Sequence, residues 1–333
     1  MSDQIPLIPD VPPGLREAAH RGILIPFIGA GVSILAGCPG WAKFADGALR
    51  CLIDKDKFSY SQLDQISHLN PRVKLSLARA LEKEHSIAID FRTLLHPSER
   101  MEHEKGRRLY GSLFKLGKVF VTTNYDEWLD EEIPEPMLSP AAKLDPTQVS
   151  RHEPMNVIHK IDGLTLASLD QPNTVIHLHG SVRDSTKMIL TTQDYVRHYA
   201  NDRFTGEASK ENPVLTFLEY LFNNRTVLFI GYGLEELEIL EYVILKARRP
   251  PGSDPAEIKH YIIQGFFSHE EELKRSLELY YLKECGIKLL PFLRDQKDWD
   301  QLLEVLDEFA RLIPVAEPLE LQKRQDLENL LNG

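Results

Sequence analysis

Short apolar, β-branched runs recur along this chain, and several of them stop at a polar or glycine-rich turn. The run Ile23-Leu24-Ile25-Pro26-Phe27-Ile28 ends at Gly29-Ala30-Gly31-Val32-Ser33. Residues 118–122 end at Thr123-Asn124-Tyr125-Asp126, residues 174–178 at His179-Gly180-Ser181, and residues 226–230 at Gly231-Tyr232-Gly233. Apolar runs of about four to eight residues bounded by turn formers read as strands covered on both faces. Further strands are expected at 260–263 and 287–291, with a short one at 188–190. Apolar residues at helical spacing predict helices over 14–21, 42–53, 72–84, 107–116, 213–223, 234–247, 269–283 and 299–312. Strand and helix alternate through the second half, which sets the class as α/β: a Rossmann-like, doubly wound, mostly parallel sheet.

Local signals refine this outline. Pro26 cannot donate a ladder hydrogen bond, so its strand is expected at an edge or locally irregular. Ser268 and Glu271 have the spacing of a capping box at the start of the 269–283 helix. Residues 131–172 carry six prolines (Pro134, Pro136, Pro140, Pro146, Pro154 and Pro172) without helical periodicity, and read as an irregular or strand-rich insertion. After Pro318, Leu319, Leu321, Leu327, Leu330 and Leu331 stand among charges, a pattern open between a solvated helix and a docking helix.

The chain has 333 residues, enough for one large α/β domain. Its formal net charge of −11 opposes nonspecific attraction to nucleic acid or anionic lipid. No apolar run reaches the roughly 18 residues of a membrane helix. The start of the chain lacks a basic stretch followed by an apolar one, so a cytoplasmic protein is expected. Cys38, Cys51 and Cys285 form no CxxC pair, which excludes a four-cysteine zinc site and leaves them as small reduced core residues.

Candidate chemistry sits at the strand ends, where open α/β sheets bind ligands. Gly29-Ala30-Gly31 permits close backbone approach to a phosphate at a helix start. It is not the dehydrogenase fingerprint, because the position of the third small residue holds Ile34. Asn124 can hold a water or a ribose hydroxyl, or else Asn124 or Asp126 caps a helix starting near Glu127. His179, nearest the loop, is a candidate general base, and His177, deeper in the strand, reads as structural. Gly37-Cys38-Pro39-Gly40-Trp41 is either a lid or a turn anchored by its tryptophan. Gly231-Tyr232-Gly233 is a second glycine turn suited to phosphate or ribose.

In this order, the segments Gly29-Ala30-Gly31-Val32-Ser33, Thr122-Thr123-Asn124-Tyr125-Asp126, His179-Gly180 and Gly231-Tyr232-Gly233 resemble the sirtuin family. The resemblance is to its prokaryotic branch of sirtuin-like NAD hydrolases, and Cys285-Gly286-Ile287-Lys288-Leu289-Leu290-Pro291-Phe292 looks like that branch's last strand. The zinc ribbon of the family's protein deacylases is missing. Pro39-Gly40-Trp41 replaces their Pro-Asp-Phe-Arg segment, and Asn124 and His179 are further apart in sequence. The resemblance implies an NAD-binding domain over residues 14–315, with 131–172 as the insertion and 316–333 as a tail. It implies NAD as substrate, no metal, and release of nicotinamide and ADP-ribose. Asn124, His179 and Asp126 would then be catalytic, with Gly29, Ala30, Gly31, Ser33, Trp41, Thr123, Gly231, Tyr232 and Gly233 binding the dinucleotide. It further implies an NAD-depleting role in antiphage defence. Regulation would come through a homo-oligomer or a partner such as a HerA-type ATPase or an Argonaute-like protein. A deacylase or ADP-ribosyltransferase, and a noncatalytic sensor of NAD or ADP-ribose, are the alternatives.

Overall fold

The computed structural model describes residues 4–96, 103–131, 155–199, 212–233 and 259–313, together with Leu327 and Leu330. Within them, seven strands form one sheet in the order β3-β4-β2-β1-β5-β6-β7. The strands are β1 Leu24–Ile28, β2 Val119–Thr122, β3 Asn156–Ile158, β4 Thr174–His177, β5 Thr226–Ile230, β6 His260–Phe266 and β7 Ile287–Leu293. Every pairing is parallel. The chain leaves β1 toward β2 on one side and returns to β5 on the other. The strand order therefore reverses beside β1, and a crevice opens over the carboxyl ends of β2, β1 and β5.

Eleven α-helices surround the sheet among the described residues: α1 Pro13–His20, α2 Ala30–Leu35, α3 Trp41–Ile53, α4 Tyr60–Gln65, α5 Pro71–His85, α6 Phe91–Leu95, α7 Glu104–Phe114, α8 Thr192–Tyr199, α9 Pro213–Asn224, α10 Glu271–Tyr280 and α11 Gln301–Leu312. On one face Leu15, Leu109, Leu113 and Phe309 meet Phe120 and Leu228. On the other, Phe217 and Leu221 meet Val227 and Phe229. Successive β5 residues are thus buried in opposite layers, which is why the strand reads as an unbroken apolar run. Helices α3, α5 and α6 build a third core of their own around Phe44, Leu49, Leu75 and Phe91. That helical lobe is inserted between β1 and β2 and closes on the strand ends through Tyr125, Val182 and Leu190.

Several sequence expectations are corrected. The strand with Pro26 is the central one, not an edge. Thr226 N–H donates to Ile23 O on the β5 side, so alternation turns the nitrogen of Pro26 toward β2. There the ladder begins only at Phe27, and the ring packs beside Gly117. Residues 188–190 join no strand, although Met188 and Leu190 are buried against the helical lobe. The α10 start is satisfied by Glu270, which accepts from Phe267 N–H at 2.8 Å, and by Asp295, which accepts from Ser268 N–H at 2.9 Å. No helix follows Asp126, where the backbone turns instead. Of the proline-rich segment, residues 155–172 are described and contribute edge strand β3 and two single 3-10 turns. The helix expected at 234–247 and all but two residues of the 316–333 tail lie outside the described residues.

Candidate active site

Two glycine turns are joined backbone to backbone under the crevice. Gly31 N–H donates to Gly231 O at 2.9 Å. A Cβ on Gly29 or Gly31 would stand 2.7 or 2.9 Å from that same oxygen. Gly231 has φ +73°, and an added Cβ there would meet Val32 at 2.7 Å. Tyr232 packs its ring on Phe27 and Phe229 and places its hydroxyl 2.8 Å from Thr123 Oγ1. Close packing between the β1 and β5 loops therefore demands glycine here, independent of any ligand.

Above this junction lies a cavity of about 440 Å³, within the size range of small-molecule sites. Strand-end residues Ala30, Ser33, Thr123, Asn124, Asp126 and His179 form one wall. The helical lobe supplies Trp41, Phe44, Asn70, Arg72 and Leu95 opposite, and α8 adds Tyr195 and Tyr199. Gly29, Gly31, Gly231, Tyr232 and Gly233 do not line it. Trp41 opens α3 and sets its ring edge-on to Tyr125 at 5.8 Å, so the turn before it is anchored in an aromatic cluster.

Ser33 is the hub of the cavity floor. Its hydroxyl donates to Asp126 Oδ2 at 2.6 Å and accepts from Asn124 Nδ2 at 2.7 Å. Asn124 Nδ2 also donates to Gly29 O at 2.9 Å. Both amide hydrogens are thereby committed, which leaves Oδ1 as the side-chain atom of Asn124 with acceptor capacity to spare. Asp126 Oδ1 accepts Trp128 N–H at 3.1 Å, an Asx turn that fixes the carboxylate where a helix cap was one expectation.

His179 is buried at the cavity wall, with Tyr199 Oη 2.7 Å from Nε2 and Tyr195 Oη 3.4 Å from Nδ1. Burial, then the nearby His198 and Arg72, holds its pKa well below the usual histidine value. The ring is neutral at pH 7. Burial also raises the Tyr199 hydroxyl, which stays protonated. Sequence reasoning missed Tyr195 and Tyr199 because nothing in 191–212 was read as an element. Two signals were present: Tyr195, His198 and Tyr199 stand at i, i+3 and i+4, and Thr191 and Asp194 form a reciprocal cap.

Behind Asn124 lies a buried ionic chain. His177 Nδ1 donates to Asn124 O at 2.8 Å, and Nε2 donates to Asp130 Oδ1 at 2.8 Å. Arg183 Nε donates to Asp130 Oδ2 at 2.5 Å. Two acceptors leave His177 with a proton on each nitrogen. Burial opposes that charge, but Asp130 and the Asn124 carbonyl outweigh it and raise the His177 pKa. Burial likewise opposes the Asp130 charge, and His177 and Arg183 overcome it.

These rings set the acid stability. Burial lowers the pKa of His179, of His198 to about 4, and of His260 to about 3. Unfolded, each takes up its proton near the ordinary 6.5, so the unfolded state binds more protons as pH falls below that. His177 has the opposite sign: its contribution is complete below 6.5 and is lost as pH rises through its raised folded value. The urea midpoint is therefore expected to fall from pH 6.5 to pH 5, each neutral ring contributing about 1.4 kcal/mol per pH unit. A midpoint that is flat or rising over that interval would contradict neutral burial of the three rings.

The model of a SIR2-like domain family matches residues 118–290 of the chain. The chain is also similar to the "NAD(+) hydrolase ThsA" of Enterococcus faecium, 22% identical over 317 residues that cover 87% of this chain and 55% of that protein. The chain thus spans about half the length of the curated relative it matches.

Proposed function

The chain belongs to the SIR2-like domain family, and from that premise we propose that it hydrolyses NAD at the nicotinamide–ribose bond. The observation that carries this reading is the convergence of Ser33, Asn124, Asp126 and His179, from the ends of β1, β2 and β4, on one cavity. The similarity to a named NAD hydrolase supports it. No helix among the described residues is long and apolar enough to cross a membrane.

The reaction converts NAD and water into nicotinamide, ADP-ribose and a proton. The electron pair of the bond between C1′ and nitrogen moves onto the nicotinamide ring, which leaves neutral. Positive charge builds on the ribose as in other glycoside cleavages. Asn124 Oδ1 accepts a hydrogen from the attacking water or a ribose hydroxyl and fixes its direction. Asp126, held by Ser33 and Trp128 N–H, places negative charge beside the site where cationic character moves from ring to sugar. The water oxygen bonds to C1′. Its proton passes to Tyr199 Oη as the tyrosine's own proton moves to His179 Nε2, and from there to solvent.

The test is chromatography of nicotinamide and ADP-ribose released from NAD, over a range of protein concentrations, for wild type and His179→Ala. We expect the substitution to slow release by about 10²–10⁴-fold with NAD still bound. The acid limb of the wild-type kcat/KM profile should lie below pH 6.5, because the ring is neutral well below that value. Folded wild type that binds NAD and never releases nicotinamide would replace the hydrolase with a sensor. Release that depends on an acyl-lysine peptide would replace it with a deacylase. A free NAD hydrolase is toxic to its host, so we further propose control by self-association or a partner protein in a defence role. The cytoplasm is the compartment in which that control would operate.

A further inference from the structure

The helical lobe brings one guanidinium to the cavity lining, that of Arg72, the only Lys or Arg side chain among its described lining residues. Arg72 is the second residue of α5, and its backbone N–H is used locally, donating to Asn70 Oδ1 at 2.9 Å. The guanidinium carbon sits over the Tyr195 ring, 3.9 Å from its centre. Among the described residues it makes no ion pair. The other charged wall residue, Asp126, has its oxygens engaged by Ser33 and Trp128. A guanidinium stacked on an aromatic face keeps its N–H donors in its own plane and directs them past the ring edge. In a partly enclosed cavity such a fork suits phosphate oxygens, which it can bind in bidentate fashion.

We propose that Arg72 is the residue that recognises the diphosphate of the dinucleotide, bringing a cation from the helical lobe to a ligand otherwise held by the strand ends. The inference rests on the NAD-hydrolase reading and deepens it: the lobe contributes to substrate binding. Tyr195 orients the guanidinium, and Ala30 and Ser33 of the first glycine turn line the same cavity from the sheet side. NADP carries a further phosphate on its adenosine ribose, so the two phosphate sources need separate measurement.

The test is calorimetric binding of ADP-ribose, NAD and NADP to the full chain, alongside nicotinamide release, for wild type, Arg72→Gln and Arg72→Lys. Loss of charge-assisted hydrogen bonds is expected to weaken ADP-ribose and NAD about 10–100-fold in Arg72→Gln. KM should rise in proportion with kcat nearly unchanged, and Arg72→Lys should recover part of the loss. Unchanged ADP-ribose affinity in a folded Arg72→Gln protein would overturn the proposal, as would a loss confined to NADP. A fall in kcat alone would also overturn it, since that marks a structural or catalytic effect. Wild type that binds ADP-ribose tightly but never releases nicotinamide would remove the hydrolase reading, and Arg72 would then be judged on binding alone. Wild type that binds none of the three would overturn both.

Discussion

Asn124→Ala is expected to lower nicotinamide release from NAD by roughly 10²–10³-fold while NAD continues to bind. The argument starts from the commitments of the side chain. Nδ2 is spent on Gly29 O and Ser33 Oγ, so the side chain is held in one orientation and presents Oδ1 to the ligand. An acceptor at a fixed position acts on the reacting water or ribose hydroxyl. That advantage is realised in the transition state and belongs to kcat. Alanine removes the acceptor and takes one donor from Ser33, which keeps its own donation to Asp126 and the Tyr110 hydroxyl 3.2 Å away. Leaving Gly29 O and Ser33 short of a partner costs about 1–3 kcal/mol of stability, so melting must accompany the rate measurement. Asn124→Asp keeps an oxygen but loses both donations and sets a second carboxylate near Asp126; it should be no more active than alanine. A folded Asn124→Ala protein with more than about a tenth of wild-type kcat would remove Asn124 from the mechanism.

Much of this site was legible because a doubly wound sheet places its chemistry at strand ends, and strand ends show in sequence as apolar runs meeting polar or glycine turns. Ser33, Asn124, Asp126 and His179 stand at such ends and line the cavity. What sequence could not show is which glycines face the ligand and which face each other. Gly29, Gly31 and Gly231 meet across 200 residues of chain, and only the packed backbone reveals the contact. Tyr232, expected at the dinucleotide, is buried with its hydroxyl 2.8 Å from Thr123 Oγ1. The helical lobe hid its role because the amphipathic pattern of α3 and α5 fits packing on a sheet as well as on each other. Arg72 was therefore invisible as a cavity residue. Pro26 breaks the expectation for a geometric reason: the rule against proline in central strands fails where the ladder to the neighbouring strand starts one residue later. His177 was placed correctly as a structural residue, but its partner Asp130 lies 47 positions away and carries no motif.

That pair gives the largest expected change in stability. Asp130→Ala is expected to destabilise the folded chain by about 3–5 kcal/mol, the usual loss when one member of a buried ion pair is removed. The Asp130 and His177 side chains are both almost fully enclosed, and the nearby Glu127 carboxylate pairs with Arg183. Arg183 is partly exposed and can turn to water, so the loss falls chiefly on His177. Without the carboxylate, burial wins over the remaining carbonyl contact and the imidazole gives up its proton. A neutral ring still donates one hydrogen bond, either to Asn124 O or elsewhere, so Asn124 loses the firm backing of a doubly protonated partner. The pH signature separates this from simple loss of packing. In wild type, the stabilisation linked to His177 is present below pH 6.5 and disappears as pH rises through the raised folded value. Asp130→Asn, which keeps the volume, should abolish that alkaline decline while preserving the acid-side decline from His179, His198 and His260. Urea melts of wild type and both variants between pH 5 and pH 9 measure each effect. An Asp130→Asn protein with the wild-type pH profile and less than about 1 kcal/mol of lost stability would show that His177 is held neutral and that Asn124 is positioned without the ionic chain.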